Sequence, residues 1–296
     1  MGKLIPLLNN PNKVNTGFNS AGYNKFMADN FKIIDKYQQP VMLKVNPAQE
    51  SLNKYMEQFY NILVLKARKM GFSSDVLGIA TTKFLTGKNE KCVSMSFDST
   101  SASKQLARAK YYIKTYEEIN NIKVPYKYNS TTNLVWEGKY EKDDGTVEHF
   151  QNILQVGTAR STSFGRGDDI SFLHLTEVAF SDVYTLMAGV GEACLPGAHK
   201  VFETTADGYN TYKRFWDESM IGKTGFACLF YSPLWEYCQA YINDKIATLG
   251  RLGAQEYPMT PEQAFITSGQ GYFNKTALAV MLDQVMAWEN NHVQKV

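Results

Sequence analysis

The chain of 296 residues is poor in cysteine, and Cys92, Cys194, Cys228 and Cys238 are widely spaced with no C-x-x-C pair. That spacing argues against a structural zinc site and fits a reducing compartment. No run approaches the ~20 apolar residues that span a bilayer. The opening "MGKLIPLLNN" has too short an apolar stretch for a signal peptide, and Pro6 stands where an N-myristoylated chain carries a hydroxyl. These absences describe an intracellular, soluble protein without a membrane partner. An excess of one charge is missing too: 31 basic against 29 acidic residues leave +2, so no global basic field announces nucleic acid. A local basic loop remains compatible with that total. Neither an internal repeat nor a low-complexity block occurs.

What is present is an alternation of apolar runs and helical periodicity. Residues 1–45 are Asn- and Lys-rich and read as an arm with one short helix near 26–37. Leu52, Tyr55, Met56 and Phe59 recur at helical spacing and predict a helix over 47–59. Strands are predicted at 61–66, 92–97, 151–156, 170–176, 199–205 and 226–231. Helices are predicted at 73–85, 100–121, 181–190, 209–219 and 235–248. Such alternation argues for an α/β fold with a mostly parallel sheet flanked by helices. The segment "WEGKYEKDDGTVEHF" reads as a hairpin turning at Asp144-Gly145.

The stretch "NILVLKARKMGFSS", residues 61–74, has the layout of a strand, a phosphate-binding loop and a helix. The standard loop is G-x-x-x-x-G-K-S/T. Counted back from Gly71, Lys66 takes the first glycine's place, Phe72 the lysine's and Ser73 the hydroxyl's. A turn at Gly71 entering a helix at Ser73 aims N–H groups and the positive helix end at a phosphate. The missing point charge can come from Lys66, Arg68 or Lys69, and Ser73 offers a hydroxyl to Mg²⁺. The same residues suit an ordinary buried strand followed by a helix capped by serine.

Two further strands end in polar residues. "DDISFLHLTEVAF", residues 168–180, ends in Thr176-Glu177, where a nucleotide hydrolase carries a metal-holding acid and a catalytic glutamate. Glu177 would orient or deprotonate the attacking water. Thr176 replaces the acid and can hold only a metal-bound water; a helix start with Thr176 as cap is the plainer alternative. "KVFETTADGYNTY", residues 200–212, ends a strand in Glu203, Thr204, Thr205, Ala206, Asp207 and Gly208. Strand ends of an open parallel sheet line one crevice, so the three segments would converge there.

Taken in order, "LKARKMGFSS", "VGTARSTSFGRGDDISFLHLTEVAF", "FETTADGYNTYKRFW" and "EYPMTPEQAFITSGQGYF" resemble the ATPase domain of the large terminase subunit of tailed bacteriophages. The resemblance runs from about 46 to 273. It implies a P-loop NTPase of the ASCE or RecA-like kind that hydrolyses ATP with Mg²⁺ and pumps double-stranded DNA into a procapsid. On that reading 1–45 is an N-terminal arm or lid, 46–273 the ATPase domain and 274–296 a C-terminal helix or linker. Nucleotide contacts would come from Lys66, Arg68, Lys69, Met70, Gly71, Phe72, Ser73 and Ser74, with Ser73 and Thr176 at the metal. Gln49, in "NPAQ", is similar to the glutamine that reads adenine. Thr204, Thr205 and Asp207, in "TTADG", resemble the coupling motif that senses the γ-phosphate. Arg166, then Arg160, in "ARSTSFGRGDD", resembles an arginine finger offered to a neighbouring subunit; a solvated basic loop, or a salt bridge with Asp168 or Asp169, is the alternative.

The implied partners are the portal or procapsid, a small terminase subunit and further copies of the chain in a ring, in the host cytoplasm, with the isolated chain a monomer. Large terminases usually continue into a nuclease domain. No carboxylate cluster of two-metal character follows here, so nuclease activity is not expected of these residues. A helicase-like ATPase of DNA repair, or a non-catalytic docking module with a degenerate nucleotide site, are the alternative functions.

Overall fold

The computed structural model describes residues 6–9, 11–159, 167, 169–265, 281, 284 and 285. Two compact units are distinguished, Met1–Ile266 and Thr267–Val296. In the second, the described positions 281, 284 and 285 are helical.

The first unit opens with helix α1 (Ser20–Asn30), the short strands β1 (Lys32–Ile34) and β2 (Pro40–Met42), and helix α2 (Pro47–Met56). The alternating part follows: β3 (Asn61–Lys66), α3 (Phe72–Thr86), β4 (Lys91–Ser96) and α4 (Ser99–Asn120). Next come β5 (Tyr126–Asn129), β6 (Asn133–Glu141), β7 (Val147–Thr158), β8 (Ile170–Thr176), α5 (Val183–Leu186) and β9 (Cys194–Thr204). The unit closes with α6 (Thr211–Met220), β10 (Ala227–Tyr231), α7 (Gln239–Leu249), α8 (Gly253–Glu256) and α9 (Pro261–Ala264).

Apart from the antiparallel pair β1–β2, the strands form one eight-stranded sheet in the order β10-β3-β9-β8-β4-β7-β6-β5. Every neighbouring pair from β10 to β7 is parallel, whereas β7-β6-β5 is antiparallel. The mostly parallel α/β sheet predicted from the alternation is therefore the architecture of the unit. Side chains of β3 alternate between its faces. Ile62 and Val64 join Val76, Leu77 and Tyr112 under α3 and α4; Leu63 and Leu65 join Phe202, Phe215 and Trp216 under α6. Burial on both faces explains why these strands read as continuous apolar runs.

The hairpin turns where predicted, with Gly145 at φ 80° between β6 and β7. The helix predicted near 26–37 lies earlier, at Ser20–Asn30. Asp35 is the reason: its carboxylate accepts the N–H groups of Tyr37 and Gln39 and bends the chain into the β1–β2 hairpin. The segment expected to be an arm places Phe18, Met27, Phe31 and Leu43 in the same apolar cluster as α3 and α4. The helix predicted over 181–190 is a single α turn, Val183–Leu186, widening into a π turn at Met187–Gly191.

Candidate nucleotide site

The C-terminal ends of β3, β8 and β9 meet. Between β3 and α3 the chain turns through two left-handed residues, Lys69 at φ 58° and Gly71 at φ 78°. A side chain at Gly71 would be strained by that φ and would also meet Gln49 Nε2, 2.6 Å from an ideal Cβ. The loop is braced from outside. Arg68 N–H donates to the Glu256 carbonyl at 2.9 Å, its guanidinium lies 3.4 Å from the Glu256 carboxylate, and Tyr237 Oη–H donates to the Lys69 carbonyl at 2.8 Å. Inside the bend lies a pocket of about 310 Å³. It is lined by the predicted Lys66, Arg68, Lys69, Met70, Gly71, Phe72, Ser73, Ser74, Glu177 and Thr205.

Phe72 reaches the lysine's place in the motif but not its role. Its side chain is fully buried and its ring packs on Tyr231 at 4.8 Å between centroids. The pocket therefore meets only the first turn of α3 there, with Ser73 beside it.

Lys66 is nine-tenths buried, and its Nζ lies 3.2 Å from Glu203 Oε2. Contact at this range is an ion pair, though Oε2 has no aligned hydrogen bond. Ser73 Oγ donates to Glu203 Oε1 at 2.6 Å and stands 3.2 Å from Thr176 Oγ1. His174 Nε2 is a further 3.5 Å neighbour of Oε1, and its Nδ1 faces Ser94 Oγ at 3.0 Å. Burial pushes Glu203 upward, but Lys66, then His174 and Ser73, outweigh it and hold the carboxyl well below the usual carboxylate range.

Glu177 follows β8 directly, with its N–H donating to the Glu203 carbonyl at 2.8 Å. Its backbone is left-handed at φ 56°, which sends the exposed side chain along the pocket instead of into a helix. Partial loss of water and then the Glu203 charge raise its pKa, against the pull of Lys66. A carboxylate so raised, opening on a phosphate-sized pocket, suits a general base.

Several predicted residues stand elsewhere. Gln49 does not line the pocket but abuts its loop, with Nε2 against Gly71, while its Oε1 accepts from Asn46 N–H at 2.8 Å and closes the capping box that starts α2. Thr204 is fully buried, accepting from Ala179 N–H at 3.2 Å and donating to the Thr205 carbonyl. Asp207 is half-buried beyond the lining. Arg160, Arg166 and Asp168 lie outside the described residues, as does most of 274–296.

Sequence reasoning placed Glu203 at the crevice without a role, and passed over Arg108, Phe180 and Glu256. The last three line the pocket from α4, the turn after β8 and α8. Glu203 had a legible signal: a carboxylate inside the apolar run "KVFETT" is costly to bury without a partner.

No family model matches the sequence, and no curated protein matches it. Solved structures do. The large terminase ATPase domain of Thermus phage P74-26 superposes at TM-score 0.52 and 12% identity, over 69% of this chain and 88% of that one. An arginine-to-alanine variant of that domain gives 0.57 and 11%, over 71% and 91%. The large terminase of bacteriophage HK97 gives 0.53 and 13%, over 83% of this chain but 50% of that chain. At such identities the likeness concerns the fold: the sheet is built as in phage large terminase ATPase domains.

Proposed function

We propose that this chain is the ATP-hydrolysing domain of a DNA-packaging motor of the large terminase kind, driving double-stranded DNA into a procapsid. One observation carries the reading. The 66–74 loop, Glu177 and Thr205, distant in sequence, border a single pocket at the C-terminal strand ends of a sheet shared with terminase ATPase domains. ATP would lie with its phosphates on the N–H groups of the loop and the first turn of α3, where the helix end is positive. Lys66 and Arg68 supply cationic charge. Mg²⁺ suits the residues present, because the Ser73 hydroxyl lines the pocket with a carboxylate bonded behind it. When bound, it would neutralise charge developing on the transferred phosphoryl group. Glu177 takes a proton from, or orients, the attacking water. Arg166 or Arg160 would complete the site of a neighbouring copy in a ring.

The test is phosphate release from ATP with Mg²⁺, beside nucleotide affinity. Glu177→Gln should lower turnover by at least about 100-fold while affinity stays within a few-fold, because a general base acts in the transition state. Nucleotide affinity lost in step with turnover would make Glu177 a structural residue. Wild-type chain that binds no nucleotide would favour the docking-module reading.

A further inference from the structure

A magnesium-dependent hydrolase places an acid beside the loop hydroxyl, and β8 offers none, ending in Thr176. We propose that Glu203, on the neighbouring strand β9, is the positioning residue that holds the Ser73 hydroxyl for Mg²⁺. The inference rests on the ATPase reading above.

Register makes the exchange possible. Thr176 of β8 pairs with Glu203 of β9, so the two side chains leave the sheet at one level. A hydroxyl has one proton and two lone pairs. With its proton bonded to Glu203 Oε1 at 2.6 Å and one lone pair facing the Thr176 hydroxyl, Ser73 Oγ keeps a lone pair for a cation on the pocket side. Glu203 is fully buried and does not line the pocket, so it acts through Ser73 rather than by touching nucleotide. Among the described residues no group of three or more His, Cys, Asp or Glu could hold a metal unaided. That suits a cation that keeps its waters and arrives with the nucleotide phosphates, as Mg²⁺ does. Thr176, 3.2 Å from Ser73 Oγ, is left as a neutral neighbour.

The competing account makes Glu203 only the counter-ion of buried Lys66. The two differ in metal dependence. ADP affinity of the whole chain is measured by calorimetry in Mg²⁺ and in EDTA, and the ratio compared. Glu203→Gln should reduce the ratio about 10- to 100-fold, as loss of an outer-shell partner does. Ser73→Ala should do the same, and the double variant should lose little more. Affinity in EDTA should hold or rise, since Lys66 is released. Thr176→Asp added to Glu203→Gln should return part of the ratio by putting the acid on β8. Circular dichroism and melting check the fold. Should Glu203→Gln fail to fold, Glu203→Asp keeps the charge but withdraws the carboxylate by one methylene. The inference requires a reduced ratio there, whereas a pure counter-ion leaves it unchanged. An unchanged ratio in the folded variants overturns the inference alone. Absence of nucleotide binding by wild type overturns the ATPase reading and this inference with it.

Discussion

Glu177 pays for its position: at φ 56° and ψ 35° it holds a conformation that costs an ordinary L-residue about 1–2 kcal/mol. Glycine enters that region freely, so Glu177→Gly should raise thermal stability, by at most about that amount, while removing turnover. A melting temperature that falls instead would mean that the carboxylate's contacts outweigh the backbone strain. The two faces of this residue were unequally legible. Its chemistry followed from a glutamate ending an apolar strand, whereas its backbone depends on the β9 carbonyl that takes its N–H. Phe72 and Glu203 extend the lesson. Read against a motif, Phe72 was a lost lysine, yet it packs on Tyr231, a residue 159 positions away that no local pattern discloses. Glu203 stands at the predicted crevice without a role, because the motif puts the acid on β8, and only the pairing of β8 with β9 brings it to Ser73.

At the scale of elements, α3 is a helix without a solvent face. Its first turn buries Asp75, whose Oδ1 accepts from Asn53 Nδ2 at 3.2 Å while Oδ2 has no partner. Burial pushes this carboxyl from 3.8 up to about 7, against the Asn53 bond. The sign follows from proton counts. Between those values the unfolded chain releases the proton and the folded chain keeps it, so this group makes stability fall as pH rises from 3.8 to about 7, and level off above. Asp75→Asn cannot ionise. Its melting temperature relative to wild type should therefore climb from pH 4.5 to pH 8, measured by calorimetry on both proteins; a pH-independent difference would contradict the assignment. Central elements were the readily legible ones, since runs such as 61–66 and 170–176 are long, apolar and bounded by polar residues. The β1–β2 hairpin was missed because "KII" and "PVM" are too short to show a period, and Asp35, which shapes the turn, acts through its side chain.

For the molecule as a whole, the two sheet edges are treated differently. β5 ends one side in a largely exposed antiparallel strand. On the other, β10 is covered by residues 6–9 of the same chain. Leu7 bridges Leu229, Leu8 N–H donates to the Cys228 carbonyl at 2.9 Å, and Phe230 N–H donates to the Pro6 carbonyl at 2.9 Å. Asn9 adds its side chain, whose oxygen accepts from Cys228 N–H and whose Nδ2 donates to the Phe226 carbonyl. Nothing in "PLLN" signals this strand-like role, because pairing partners more than 200 residues apart leave no local pattern.

That covering strip has a practical meaning for anyone producing the protein. In the intact chain β10 is a fully buried apolar strand, "ACLFY"; without the strip, the N–H and C=O groups on the side away from β3 would be open. Such an edge templates pairing between copies. Removing residues 1–9 should therefore yield a soluble fraction that shrinks with concentration and scatters light strongly, where the intact chain stays disperse. Adding charge by Leu8→Lys, on a side chain already 37% exposed, should leave dispersity unchanged. Aggregation by the lysine variant equal to that of the deletion would mean that the Leu8 side chain, rather than the backbone bonds of the strip, protects the edge. Purification tags then belong at the other end of the chain.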